Sequence, residues 1–235
     1  MQILLKFNLN EVFSVKFNYN HQLQSAIYAK LKEAGMSDFL HNNATIPPES
    51  YKGFTFGPLK GKYEIRENQL HFSENISFEF RSPDFTLCDA LQRSFETDRA
   101  IHLFDRTIEL AEMNFSNRHI NKNECLFKAV SPVIASDVNE NGKTTFYAPE
   151  DGRFIELLNI NFQNKYCSIM GEKAEKLLIE PIGNHRKIVT KYKGIWLNGY
   201  IGKYKISGNN KYLEFIYNAG LGKRSSQGFG FIEII

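Results

Sequence analysis

Between Asn218 and Ile232 this 235-residue chain carries two Gly-apolar-Gly triplets, Gly220-Leu221-Gly222 and Gly228-Phe229-Gly230, on either side of Lys223, Arg224, Ser225 and Ser226. Glycine loses more chain entropy on folding than any other residue, so this density marks backbone at positive φ or in very close approach to a neighbour. Amide hydrogens turned into a concavity, beside two cations and two hydroxyls, suit a phosphate group. A tight connection leading into a last strand is the plainer reading of the same residues. Two other phosphate loops are excluded. There is no Gly-x-x-x-x-Gly-Lys-Ser/Thr, and Gly220-x-Gly222 lacks the third glycine, the preceding strand and the downstream acid of a dinucleotide fingerprint.

The charge around this stretch is uneven. The chain as a whole is +3, yet from Pro181 to Ile232 nine cations (Arg186, Lys187, Lys191, Lys193, Lys203, Lys205, Lys211, Lys223, Arg224) face the single acid Glu214, which makes +8 there and −5 elsewhere. Tyr192, Trp196, Tyr200, Tyr204 and Tyr212 are interleaved with them. Cations for phosphates and rings for unstacked bases are what a nucleic-acid face needs. A solvated sheet face with snorkelling lysines has the same composition.

Other classes fall away on composition. With 20 Phe and 11 Tyr the chain has ample core material and is not disordered. No run of about 18 apolar residues occurs, and Met1 to Phe7 is too short and wrongly flanked for a signal peptide, so the expectation is a soluble, cytoplasmic protein with no membrane partner. Cys88, Cys125 and Cys167 are widely spaced and read as small buried hydrophobes. His71, His102, His119 and His185 lack partners at metal-ligand spacing, and the acids form no two-metal cluster, so neither a metal nor another cofactor is expected.

These residues need positioning elements. Gln2 to Leu9 reads as a strand, and a helix over about 21–34 follows, with Asn20 as N-cap, Gly35 just past its end and Leu23, Ala26, Ile27, Leu31 and Ala34 as its buried stripe. Tyr28 lies beside that stripe. Ile46-Pro47-Pro48 requires a loop. Strands are expected at Tyr51–Phe56, Lys62–Arg66 and Leu70–Phe80, a helix opened by Ser82-Pro83 with Leu87, Cys88, Leu91 and Phe95 inward, and a strand or pair through 100–115. The second half repeats the order: a strand over 125–134, and a helix opened by Pro149-Glu150-Asp151 that buries Phe154, Leu157, Leu158 and Phe162. Strands at 176–182, 187–197 and 199–207 follow, then a short helix over 212–218 and a last strand 228–235. Strand, helix, strand, strand, helix, strand is a ferredoxin-like unit. The polar stretch Ser116–Asn123 marks the boundary, giving α+β domains over 1–119 and 120–235; a single mixed α+β domain would satisfy the same elements.

The glycine loop, closed by Phe229, Phe231 and Ile232, resembles the signature loop of the repeat-associated RNA-binding proteins of CRISPR systems, and within them the family of endoribonucleases that process repeat RNA, the sixth-numbered Cas proteins. Tyr19-Asn20-His21-Gln22-Leu23-Gln24-Ser25-Ala26-Ile27-Tyr28 is similar to that family's first-helix motif, and Leu126 to Ile134 resembles the Ser-Pro strand that opens its second domain. The three matches occur in the family's order across nearly the whole chain. The resemblance implies two tandem ferredoxin-like domains facing across a basic cleft.

The activity it implies is metal-independent cleavage within CRISPR repeat RNA (pre-crRNA), leaving a 2′,3′-cyclic phosphate and a 5′-hydroxyl. Such cleavage needs a base for the 2′-OH, an acid for the leaving oxygen and a donor or cation on the phosphate. The matching positions are Tyr28 on the helix, His41 in the loop after it and Lys52 before Phe54-Thr55-Phe56. By default Tyr28 would be a core tyrosine, His41 a surface histidine and Lys52 a solvated lysine, with Lys60 or Lys62 as its substitutes. His21 ranks below His41, being placed to brace the helix start. For RNA binding the resemblance and the charge together point to Gly220, Gly222, Lys223, Arg224, Ser225, Gly228 and Gly230 for phosphates, and to Arg186, Lys187, Lys191 and Lys193 for base selection. Further candidate partners are the subunits of a CRISPR effector complex and a second copy of the chain. The alternative function is a non-catalytic RNA-binding subunit of such a complex.

Overall fold

The computed structural model describes residues 1–36 and 51–235, so His41 and the predicted loop through Pro48 lie outside the described residues. Strand β1 (Gln2–Phe7) runs between β5 (Gln69–Arg81) and β7 (Arg106–Ser116), antiparallel to both. Strands β2 (Phe13–Lys16), β3 (Thr55–Phe56) and β4 (Lys60–Arg66) pair with β5, and β6 (Ala100–Leu103) pairs with β7. Period-two alternation sends Ile3, Leu5 and Phe7 into one core, where they meet Leu23, Ile27 and Leu31 of α1 (Asn20–Glu33) and Leu87, Leu91 and Phe95 of α2 (Phe85–Thr97).

The second sheet has the same order. Strand β8 (Glu124–Ala129) lies between β12 (Ile195–Ser207) and β13 (Ile232–Ile234), with β11 (Leu178–Tyr192) outside β12. Helices α3 (Gly152–Met170) and α4 (Asn210–Ala219) supply Phe154, Leu158, Phe162, Leu213 and Ile216 to a second core. A small hairpin, β9 (Ser136–Val138) with β10 (Thr144–Phe146), precedes α3. In each sheet the first strand lies between the long strand that precedes the second helix (β5, β12) and the last strand of the unit (β7, β13), the ferredoxin-like order expected of the chain.

Several elements differ from the sequence reading for local reasons. Tyr19, not Asn20, occupies the N-cap of α1 and makes no side-chain cap bond, because the Asn20 amide reaches across to the carbonyls of Gln227 and Gly228 at 3.1 and 3.3 Å. Helix α2 starts after Pro83, at Phe85, since Asp84 is the cap and accepts from the Thr86 amide at 2.9 Å. The predicted break near Asn198 does not exist. The turn is Lys193-Gly194, both at positive φ (47° and 83°), as a two-residue hairpin requires, and β11 continues unbroken through the stretch read as two strands, with one register shift between Ile182 and Arg186. Gly199 instead stays inside β12, where a Cβ would lie 2.8 Å from the Pro132 side chain. Tyr51–Phe56 pairs only at Thr55–Phe56, and the last strand starts at Ile232.

The two sheets are joined by Arg81, at the end of β5 and 1 % exposed. Its guanidinium lies between the rings of Tyr217 and Phe231, 3.9 Å from each centroid, donates to the carbonyls of Ile232 (2.7 Å) and Tyr217 (3.3 Å), and pairs with both Glu79 oxygens. Arg81→Met keeps the stem but strands Glu79 and two carbonyls. Removing one member of a buried pair costs about 3 to 5 kcal/mol, and a loss of that size is expected in the urea midpoint. A change below about 1 kcal/mol would show that the stack carries no stability.

Candidate functional site

The glycine-rich stretch follows α4. Gly220, Gly222, Gly228 and Gly230 all have φ between 64° and 80°, and all four are buried. The amides of Leu221, Lys223, Gly228 and Gly230 donate to the carbonyls of Gly230, Ile134, Ser225 and Pro132. The loop therefore uses these four amides, that of Gly228 among them, to hold itself together and does not present them to a ligand. What converges is carbonyl oxygen. Lys165 of α3, fully buried, donates to the carbonyls of Gly220 (2.8 Å), Ala219 (3.3 Å) and Gly222 (3.3 Å) and to Ser225 Oγ (2.7 Å). The loop is folded around an ammonium.

On its outer side the loop forms one wall of a cleft of about 290 Å³. Lys223, Arg224, Ser225 and Ser226 line this wall, Tyr51 to Phe54 line a second, and Asn161 and Lys165 of α3 form the floor. Lys52 is thus brought together with Lys223, Arg224, Ser225 and Gly222, from opposite halves of the chain. Burial lowers the pKa of Lys52 and of Arg224, so both gain from an incoming anion. Arg224 is held at left-handed φ and donates to Gln227 Oε1 at 3.0 Å.

Tyr28 stands one contact behind this cleft. Its ring packs edge-on against Phe54, and its hydroxyl interacts with Ser226 and with Gln24 Nε2 at 3.4 Å. Burial raises its pKa, partly offset by those hydrogen bonds. Gln24 also donates to the Ser226 carbonyl (2.8 Å) and accepts from the Tyr192 hydroxyl, tying the loop, α1 and the tip of the β11–β12 hairpin together. His21 stacks edge-on against Tyr192 rather than bracing the helix start. Burial and the nearby Lys193 lower its pKa.

Arg186, Lys187, Lys191 and Lys193 are exposed along β11 and its turn, outside the residues that line the cleft. The rings interleaved with them do not form the stacking face that the sequence suggested. Tyr192 and Tyr204 are buried, Tyr200 and Tyr212 pack against the second core, and Trp196 alone of the five is largely open, with Lys191 Nζ 5.6 Å from its ring.

Sequence reasoning missed Asn161 and Lys165. The signal was present: the apolar stripe of α3 runs Phe154, Leu157, Leu158, Phe162, and helical spacing places 161 and 165 on the same buried face. A lysine there must have partners. Among the described residues no group of three His, Cys, Asp or Glu side chains is placed to hold a metal ion, and no helix is long and apolar enough to cross a membrane.

A cleft of this kind, with cations from both halves and buried donors at its floor, fits a polyanion. The CRISPR-associated endoribonuclease Cas6 of Pyrococcus furiosus is 24 % identical over 238 residues, 96 % of this chain and 85 % of the relative. The structure of a Cas6-related gene product from Pyrococcus furiosus superposes with a TM-score of 0.84 at 24 % identity, covering 100 % of this chain and 98 % of the other. That of a RAMP protein described as binding different RNA substrates gives 0.82 at 20 % identity over 100 % and 99 %. The family model for the C-terminal part of the CRISPR-associated protein Cas6 matches residues 115–234, which hold the second sheet, the buried lysine and the whole glycine loop, and the chain belongs to that family.

Proposed function

We propose that the chain is an endoribonuclease that cleaves CRISPR repeat RNA at this cleft by attack of a 2′-hydroxyl on the adjacent phosphate, without a metal ion. The supporting observation is the meeting of Lys52 with Lys223, Arg224 and Ser225 around one cavity. Lys52 comes from the segment that the family resemblance assigns to catalysis, and the others from the loop it assigns to RNA. In this reading the loop side chains fix the phosphate and Lys52 offsets the charge that grows on it. Tyr28, kept neutral by burial, holds Ser226 in place from behind the cleft, and His41 moves the proton. The exposed cations of β11 and Trp196 extend the RNA track beyond the cleft.

A relative described as binding different RNA substrates gives weight to the second reading, an RNA-binding subunit that does not cut. One experiment separates them: labelled repeat RNA from the protein's own genome, incubated in excess EDTA with wild type and with His41→Ala. A single cut is expected from wild type, and His41→Ala should be slower by about 10²- to 10⁴-fold, the usual worth of a positioned acid or base. Binding with no cut assigns the non-catalytic role, and neither binding nor cutting overturns the RNA reading.

A further inference from the structure

Lys165 is an unusual floor for an anion site. Its side chain is buried in α3, its charge is matched by carbonyls and one hydroxyl, and among the described residues no carboxylate pairs with it. An ammonium can only donate, so Ser225 Oγ, 2.7 Å away, must accept from it and keep its own hydrogen for another partner. Among the described residues the other acceptor within reach is the Gly222 carbonyl, 3.5 Å away and too long to hold that hydrogen well. One turn earlier on the same helix face, Asn161 Oδ1 is buried in the cleft with no hydrogen-bond partner among the described residues. A buried amide oxygen left in this way points to a ligand group that donates to it, such as a ribose hydroxyl or a base edge.

We propose that Lys165 is a positioning residue of the RNA site: its ammonium holds the glycine loop by its carbonyls and turns the Ser225 hydroxyl hydrogen into the cleft as a donor to an RNA phosphate. The proposal rests on the reading that this cleft holds RNA. It also makes binding proton-linked. Burial pulls Lys165 down to about 7. Once neutral, its nitrogen can accept the Ser225 hydrogen, which then turns away from the cleft. A bound phosphate favours the charged form, so the pKa rises in the complex. Affinity is therefore full below the free-protein pKa and falls as pH rises above it, by up to about tenfold per pH unit, until the pKa of the complex is passed. The charged and titratable groups facing the same cleft are Lys52 and Tyr51 from the segment before β3, Lys223 and Arg224 from the loop, and Tyr28 behind it on α1.

The test measures binding of repeat RNA carrying a 2′-deoxy at the cut site, from pH 6 to 9 by fluorescence anisotropy, with His41→Ala as parent so that the histidine does not contribute. The parent should lose affinity above pH 7. Adding Lys165→Met should weaken binding at pH 6 by about tenfold or more and flatten the profile, because all the other cleft groups remain. Ser225→Ala, which leaves the buried ammonium in place, should weaken binding at pH 6 and reduce the slope, and it decides the matter if Lys165→Met does not fold. Variants whose curves superimpose on the parent's overturn the role of Lys165 while leaving the RNA reading intact. A parent that binds no repeat RNA at any pH removes that reading and the proposal together.

Discussion

Repeat RNA with a single 2′-deoxy substitution at the cut position is expected to bind as the all-ribose RNA does and to resist cleavage. In the proposed reaction the attack is internal: the attacking oxygen sits on C2′, next to the sugar carbon that bears the phosphate's bridging oxygen. Tethering of this kind is worth effective molarities of about 10⁵ to 10⁸ M, and no protein group replaces the oxygen once it is gone. Single-turnover cleavage should therefore fall by at least about 10⁵-fold, about 7 kcal/mol in the barrier. Affinity should change little, since in the proposed reading Lys223, Arg224 and Lys52, which line the cleft, act on charge that the deoxy sugar retains. An enzyme that used an activated water would cut both RNAs at similar rates, and that result would exclude the internal nucleophile. A large loss of affinity with the deoxy RNA would mean instead that the 2′-hydroxyl is itself a binding contact, for which Asn161 Oδ1, buried in the cleft without a partner among the described residues, is a candidate acceptor.

Most of this architecture is legible in the sequence because it rests on period. The helical stripe of α1 and the alternation of β1 define the first core, and the order of elements defines the ferredoxin-like sheets. Where the reading departs from the structure, a residue has two competing uses. Gly199 and Gly194 are both candidate turn residues in a basic, β-forming stretch. Gly194 turns because Lys193 beside it accepts positive φ, whereas Gly199 is needed for close packing on Pro132, a contact between segments more than 60 residues apart that no local pattern carries. Asn20 has the side chain of a cap but uses it on the glycine loop some 200 residues later. The loop itself shows the same limit. Its glycines announce positive φ, and the structure has it, yet the sequence cannot say which way the peptides face. That is decided by Lys165, whose ammonium draws the Gly220 and Gly222 carbonyls inward while Lys223, Arg224 and Ser225 line the cleft outside.

Gly230→Ala should be the most damaging small substitution in the chain. The residue has φ +64°, a conformation that costs a non-glycine residue about 1 to 2 kcal/mol on its own. A Cβ there would lie 1.9 Å from the Leu221 carbonyl oxygen and 2.9 Å from its carbon, so backbone must move rather than a side chain. Neither strand of the loop is free to do so. Gly230 accepts from the Leu221 amide at 2.9 Å and donates to the Pro132 carbonyl at 2.9 Å, while Gly220, next to Leu221, is bonded to Lys165. Relief of the clash has to break that set, and the total expected loss is on the order of 4 kcal/mol or more, the range reached only by core disruption or strain. Gly171→Ala is the control: φ is +74° at the end of α3, but nothing lies within 4 Å of the added carbon, so the cost should stay near 1 kcal/mol. Urea midpoints of the two variants measure the difference directly. Equal losses would mean that the two arms of the loop do not touch as described; a much larger loss for Gly230→Ala, accompanied by weaker RNA binding at temperatures where the variant is still folded, is expected because the arm that moves carries Lys223, Arg224 and Ser225 with it.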